Sequence, residues 1–160
     1  MTAAFQPKPS PRHEVTITRV VDAPRELVFK LWTDPIPMAQ WWGPHGFTNP
    51  VCELDARAGG AIRIHMRGPD GVVYPMTGTF SEVAAPARLV FASVASDHTG
   101  MPLLEAIANV TFADESGKTR VTVVASAIGL APIAPQMIAG MEAGWTQSLE
   151  RLGALAAAQA

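Results

Sequence analysis

Cysteine is nearly missing from this sequence: Cys52 is the only one in 160 residues. One thiol can form neither an internal disulfide nor a cysteine-based metal cluster, so a reducing cytoplasm is the default setting. Charge is sparse too. Only 16% of residues are charged and the formal net charge is -2, which leaves no basic stripe of the kind nucleic acid requires. No run approaches the ~18 apolar residues of a membrane span, and the opening "MTAAFQPKPSPRH" has neither the apolar core nor the cleavage pattern of a secretory leader. Membrane insertion is therefore not expected. No G-x-S-x-G, P-loop or dinucleotide fingerprint occurs, and the isolated "RAGG" is too short to cradle phosphate. His13, His45, His65 and His98 show no short metal-ligand spacing. Neither a metal nor a cofactor is implied.

What is present is apolar material, 48% of the chain, at a length that suits one domain with one core. The Pro-rich start reads as a disordered leader over residues 1–13, followed by a single domain over 14–158. "EVTITRVVD" alternates apolar and polar residues with β-branching, as a strand does. "PRELVFKLWTD" then carries Leu27, Val28, Leu31 and Trp32 at helical spacing behind Pro24. A second helix, "PIPMAQWW", starts beside Asp34 and Pro35 and must stop at Gly43-Pro44, with both tryptophans in its last turn. From Thr48 to Ala127 six β-runs are separated by "RAGG", "GPDG", "AAPA", "SDHTGMP" and "DESGK", which predicts an antiparallel meander. The tail places Met137, Ile138, Met141, Trp145, Leu149, Leu152 and Leu155 on one face of a long helix, from Pro135 to about Ala156. Gly140 and Gly144 weaken that helix and predict a close approach or a kink.

One strand, two short helices, six strands and a long one-sided helix make an α+β order. Such a helix needs a surface to cover, and a curved sheet of about seven antiparallel strands wrapped around it provides one. The stretches "DAPRELVFKLWTDP", "QWWGPHGFT", "ELDARAGGAIRIHMRGPDG", "YPMTGTFSEVAAPARLVF" and "GMEAGWTQSLERL" carry a resemblance that covers nearly the whole chain from about Glu14. The sequence resembles the START-like (SRPBCC, helix-grip) superfamily, and within it the activator of heat-shock-protein-90 ATPase homologue-like family. The resemblance implies a hollow fold that tends to bind small hydrophobic molecules, with catalysis in a few distant relatives. The family takes its name from a eukaryotic co-chaperone branch whose additional domain is not found in this sequence.

Several residues are then candidates for a cavity. Adjacent helical residues point about 100° apart, so Trp41 is expected to be mostly structural and Trp42 to lie nearer the cavity entrance. If "RAGG" is a hairpin turn, residues whose numbers sum to about 116 lie opposite each other, pairing Glu53 with Arg63 and Val51 with His65. One face then carries Glu53, Asp55, Arg63 and His65, and the other Cys52, Leu54, Ile62, Ile64 and Met66. The polar face is either a solvated surface or a polar floor that orients a ligand. Cys52, on the apolar face, reads as a small inert hydrophobe. Met66, Met76, Met137 and Met141 serve either as ordinary core or as a soft cavity lining. The candidate ligand contacts are Trp42, Glu53, Arg63, His65, Tyr74, Met76, Met137, Met141 and Trp145.

The expected function is binding of a small hydrophobic or aromatic molecule, lipid-like or polyketide-like, between sheet and C-terminal helix. A cyclase or hydrolase acting in the same cavity would need a positioned acid or base, for which Glu53, His65 and Tyr74 are the only plausible groups. A chaperone-interaction module would instead use an exposed apolar patch. A homodimer is left open.

Overall fold

The structure is a computed structural model that describes residues 12–159. The anticipated leader falls mainly on residues 1–11, outside the described residues. Arg12 and His13 already belong to the domain, because the Arg12 guanidinium donates to Ser126 Oγ at 2.8 Å and the first strand, β1, runs His13–Val21. Helices α1 (Arg25–Thr33) and α2 (Pro35–Trp41) follow. Then come β2 (Thr48–Leu54), β3 (Ala61–Arg67), β4 (Val73–Ala84), β5 (Arg88–Ser96), β6 (Pro102–Glu115) and β7 (Lys118–Gly129), and the chain closes with α3 (Ala134–Ala139) and α4 (Met141–Gln159).

All seven strands form one antiparallel sheet in the order β1-β7-β6-β5-β4-β3-β2. Strands β2 to β7 are a meander in which each hairpin places the next strand beside the last, and β1 adds to the far edge along β7. The tightest hairpin, between β6 and β7, has Ser116 and Gly117 between the paired Glu115 and Lys118, with φ values of 54° and 86°. Both signs are what a two-residue type I′ turn demands. The register anticipated for β2 and β3 is observed, with Glu53 opposite Arg63 and Val51 opposite His65.

The helices depart from the sequence reading at two points. Asp34 caps α2, its carboxylate accepting from the Ile36 N–H at 3.0 Å with Pro35 in the first turn, but the helix ends at Trp41. Trp42 has left the helix, with φ -62° and ψ 133°. The long C-terminal helix is also not continuous from Pro135. It divides at Gly140 into α3 and α4, and helical hydrogen bonding resumes when the Gly144 N–H donates to the Gly140 carbonyl at 2.9 Å. Glycine costs about 1 kcal/mol relative to alanine inside a helix, so Gly140 is where a bend is least expensive. The bend lets α3 lie against β6 and β7 while α4 crosses to β1, α1 and α2.

The core sits between the concave sheet face and the helices. By register, Ile62, Ile64, Met76, Phe80, Leu89, Phe91, Ala108, Val110, Phe112, Val121, Val123 and Ala125 point inward and are all buried. Trp32, Leu149 and Leu152, each fully buried, press on them from α1 and α4.

Candidate ligand cavity

Along the concave face the inward side chains change size. On β6 the series runs Leu104, Ala106, Ala108, Val110, Phe112, and on β7 it runs Val121, Val123, Ala125, Ala127. Antiparallel pairing puts Ala106 beside Ala127 and Ala108 beside Ala125, with Ser93 and Phe91 next to them on β5. Small residues are thereby collected at one end of the groove, where α4 cannot reach the sheet. The result is a partly open cavity of about 200 Å³. Met66, Met76, Phe91, Ser93, Ala95, Leu104, Ala106, Ala108 and Ala125 wall it from the sheet, and Met137, Met141, Gly144, Trp145 and Ser148 from α3 and α4. Trp42, Gly43 and Pro44 close it from the turn after α2. None of these side chains carries a formal charge.

The four tryptophans of the chain form one cluster. Trp32 touches Trp41 at a centroid distance of 4.7 Å, Trp42 at 6.3 Å and Trp145 at 6.2 Å, the last nearly parallel at 14°. Trp41 is fully buried, and its indole N–H donates to the Leu31 carbonyl at 2.9 Å. Trp41 is absent from the cavity wall; Trp42 is part of it, meeting Trp145 edge to face at 5.5 Å and 87°. The indole nitrogens of Trp32 and Trp42 are both buried without a hydrogen-bond partner among the described residues. The two neighbouring indoles therefore differ as expected: the φ of Trp42, -62°, is still helical and keeps the divergence of adjacent helical residues, while its extended ψ redirects only the chain that follows.

The Trp42-Gly43-Pro44 turn is held from α4. Arg151 donates through one nitrogen to the carbonyls of Trp42, Gly43 and Pro44 at 3.1, 2.8 and 3.1 Å, and through another to the Gln40 carbonyl at 3.0 Å. These carbonyls lie in the last turn of α2 and just beyond it, where helical partners are missing, and a planar guanidinium fork can serve several at once. Partial burial lowers the Arg151 pKa from its ordinary value. His45 adds an exposed contact to Glu150 at 3.1 Å, and its N–H donates to Gln147 Oε1 at 3.1 Å. From the other side, the Asn49 amide donates to the carbonyls of Ala39 and Trp42 at 3.1 and 2.8 Å.

The residues anticipated from the sequence separate into two groups. Trp42, Met76, Met137, Met141 and Trp145 all line the cavity. Glu53 and Arg63 lie on the opposite, convex face, where they form an ion pair at 3.2 Å with side chains 64% and 49% exposed. His65 shares that face with them through its position on β3. The polar-floor reading is thus corrected for these three, because Ile62, Ile64 and Met66 take the inward positions and strict alternation sends the intervening residues outward. Tyr74 pairs with Met66 and so shares the concave face, but it is not part of the cavity wall. Glu53, His65 and Tyr74, the groups considered for acid–base chemistry, are therefore all away from the lining. Cys52 lies on the apolar side as anticipated, half-buried, and burial followed by the Glu53 carboxylate pushes its thiol pKa up to about 11.

A family model described as Activator of Hsp90 ATPase homolog 1-like protein matches residues 22–157. The chain belongs to that family. Among solved structures, this Activator of Hsp90 ATPase homolog 1-like chain is similar to a Chromobacterium violaceum protein at 28% identity and a TM-score of 0.74, covering 89% of this chain and 96% of the other. An Arthrobacter aurescens protein matches at 28% identity and TM-score 0.76, with 90% and 86% covered. A Rhizobium leguminosarum protein at 22% identity and TM-score 0.76, with 91% and 94% covered, shares the fold. No functionally curated protein matches.

Most of this family member's sheet-side lining escaped the sequence reading. Ser93, Ala95, Ala106, Ala108 and Ala125 are small and carry no chemistry by themselves. A signal was nonetheless there: "LLEAIANVTF" and "VTVVASA" place alanine at alternate positions next to alternating large residues, which marks one end of a strand pair as thin. Among the described residues, no cluster of His, Cys, Asp and Glu could hold a metal ion, and no helix is long and apolar enough to cross a membrane.

Proposed function

We propose that this chain binds a small hydrophobic or aromatic molecule, lipid-like or polyketide-like, in the cavity between its sheet and its C-terminal helices. The observation that carries this reading is the wall itself: about 200 Å³ enclosed by Trp, Phe, Met, Leu and Ala side chains, with no charged group among them. An apolar cavity of about 150 Å³ is enough to hold benzene, so this one suits a flat ligand of roughly one or two rings. Methionines on three sides adapt their shape to different ligands. Membership of the family supports binding at the level of the fold. A reducing cytoplasm is proposed as the setting, in keeping with the single cysteine.

The test is a thermal-unfolding series with flat aromatic and fatty-chain molecules. A ligand that prefers the folded state at about 100 times its Kd adds ~2.7 kcal/mol, which for a domain of this size raises Tm by several degrees. The ligand should be recovered chemically unchanged. A broad panel that leaves Tm where it was would sink the reading.

A further inference from the structure

Two hydroxyls buried between sheet and helices are paired within the protein. Thr119 Oγ1 donates to the Ala23 carbonyl at 2.7 Å, and Ser148 Oγ, on the cavity wall, donates to the Gly144 carbonyl at 2.8 Å. Ser93 differs. It also lines the cavity, but its hydroxyl has no hydrogen-bond partner among the described residues. The residue is half-buried, and its oxygen keeps accessible surface instead of being sealed in the packing as the Trp32 and Trp42 indole nitrogens are.

That surface faces the cavity. Ser93 lies on the interior strand β5, on the same concave side as Leu89 and Phe91, opposite Gly78 on β4 and Ala106 on β6. Neither neighbour covers the hydroxyl: Ala106 offers only a methyl group, and a Cβ at Gly78 would come within 3.1 Å of the Ser93 Cβ, so glycine there leaves that flank bare. Every other small side chain on the sheet side of the wall is alanine, namely Ala95, Ala106, Ala108 and Ala125. Alanine makes room just as well, so the Ser93 hydroxyl is not needed for space.

A cavity of this size can hold water on an exposed hydroxyl. A wholly apolar ligand would displace that water and return no hydrogen bond, whereas a ligand with an oxygen at the same place replaces it. The wall limits the charge of that oxygen. No lining side chain is cationic, and the nearby Arg151 fork is already engaged by backbone carbonyls, so an anion on the cavity floor would lose its hydration without compensation.

We infer that Ser93 anchors the ligand, and that the ligand is a neutral, flat, largely apolar molecule whose one oxygen, carbonyl or hydroxyl, meets Ser93 Oγ on the cavity floor. A serine hydroxyl both donates and accepts, so it serves either kind of oxygen. The inference rests on the binding reading above and adds to it a polar anchor and a ligand class.

The probes are two pairs matched in shape: acetonaphthone with isopropenylnaphthalene, and naphthol with methylnaphthalene. Affinities are measured with wild-type protein, with Ser93→Ala and with Trp145→Phe, because the Trp145 indole N–H is another accessible polar group on the wall without a partner among the described residues. The oxygen-to-hydrocarbon affinity ratio should fall about fivefold in Ser93→Ala, the worth of one neutral hydrogen bond. Trp145→Phe should change both members of a pair alike and leave their ratio. A second readout needs only the wild-type fold: the C=O stretch of bound acetonaphthone should lie below its frequency in an alkane solvent. A fall confined to one pair supports the anchor and fixes the oxygen as that pair's. If the pairs bind with ratios that Ser93→Ala leaves unchanged, or that fall only in Trp145→Phe, the anchor is overturned and cavity binding stands. If none of the probes binds, this inference fails together with the reading beneath it.

Discussion

The two ends of the groove between sheet and α4 share the same strands and the same helix, yet one is filled and the other hollow. At the filled end, Leu89, Val110, Phe112, Val121 and Val123 meet Trp32, Leu149 and Leu152, each at most 2% exposed. At the other, Ala95, Ala106, Ala108 and Ala125 face Gly144, Trp145 and Ser148 across open space. Backbone pairing is continuous through both. On the sheet side it is side-chain volume that distinguishes them, and it divides stability from binding: the first end holds the fold together, and the second gives up packing to make room.

Large-to-small substitution should break that division most severely at the filled end. Trp32→Ala removes an indole that touches Trp41, Trp42, Phe112 and Trp145 and should lower the unfolding free energy by about 3–5 kcal/mol in urea titrations. A loss below ~1 kcal/mol would mean that this end is not the stabilising one. Trp145, on the apolar face of the C-terminal helix, is half-buried at the boundary between the ends, so its truncation should cost less than that of Trp32.

Arg151→Met tests what keeps the hollow end closed. The variant deprives the carbonyls of Gln40, Trp42, Gly43 and Pro44 of their shared donor and should cost about 1.5–3 kcal/mol, the range for hydrogen bonds to a charged group. Faster amide hydrogen exchange confined to residues 42–47 would place the damage at the turn. Unchanged exchange there would show that Asn49 holds the turn by itself.

A smaller effect on stability is expected of Ala106→Leu, which fills part of the cavity. Stability should stay level or rise by about 0.5–2 kcal/mol, while affinity for any aromatic ligand falls at least tenfold. Its control is Glu53→Gln on the convex face, where an exposed ion pair is worth about 0–1 kcal/mol and ligand affinity should not change. If Glu53→Gln weakens binding and Ala106→Leu does not, the site lies outside the cavity.

Local features were readable from the sequence where one chemical preference acts over a few residues. "RAGG" set the β2–β3 register, and the apolar alternation of Ile62, Ile64 and Met66 followed from it. Gly43-Pro44 marked the end of α2 to within one residue, and the asymmetry of Trp41 and Trp42 came with that ending. The polar set Glu53, Arg63 and His65 was harder. Alternation shows that two faces differ without showing which one a distant helix will cover. Gly140 advertised a weak point, but whether a helix bends there depends on what its two halves must pack against.

By itself, then, the sequence determined the elements, their pairing and which side of each strand is apolar, since turn chemistry and period-two alternation are local. Tertiary structure alone decided that a hollow exists, how large it is and which side chains line it. A cavity is the difference between the space that a curved sheet and a bent helix enclose and the side chains contributed by strands far apart in the chain. That difference is a sum over residues that meet only in the folded state, so no single stretch of sequence contains it.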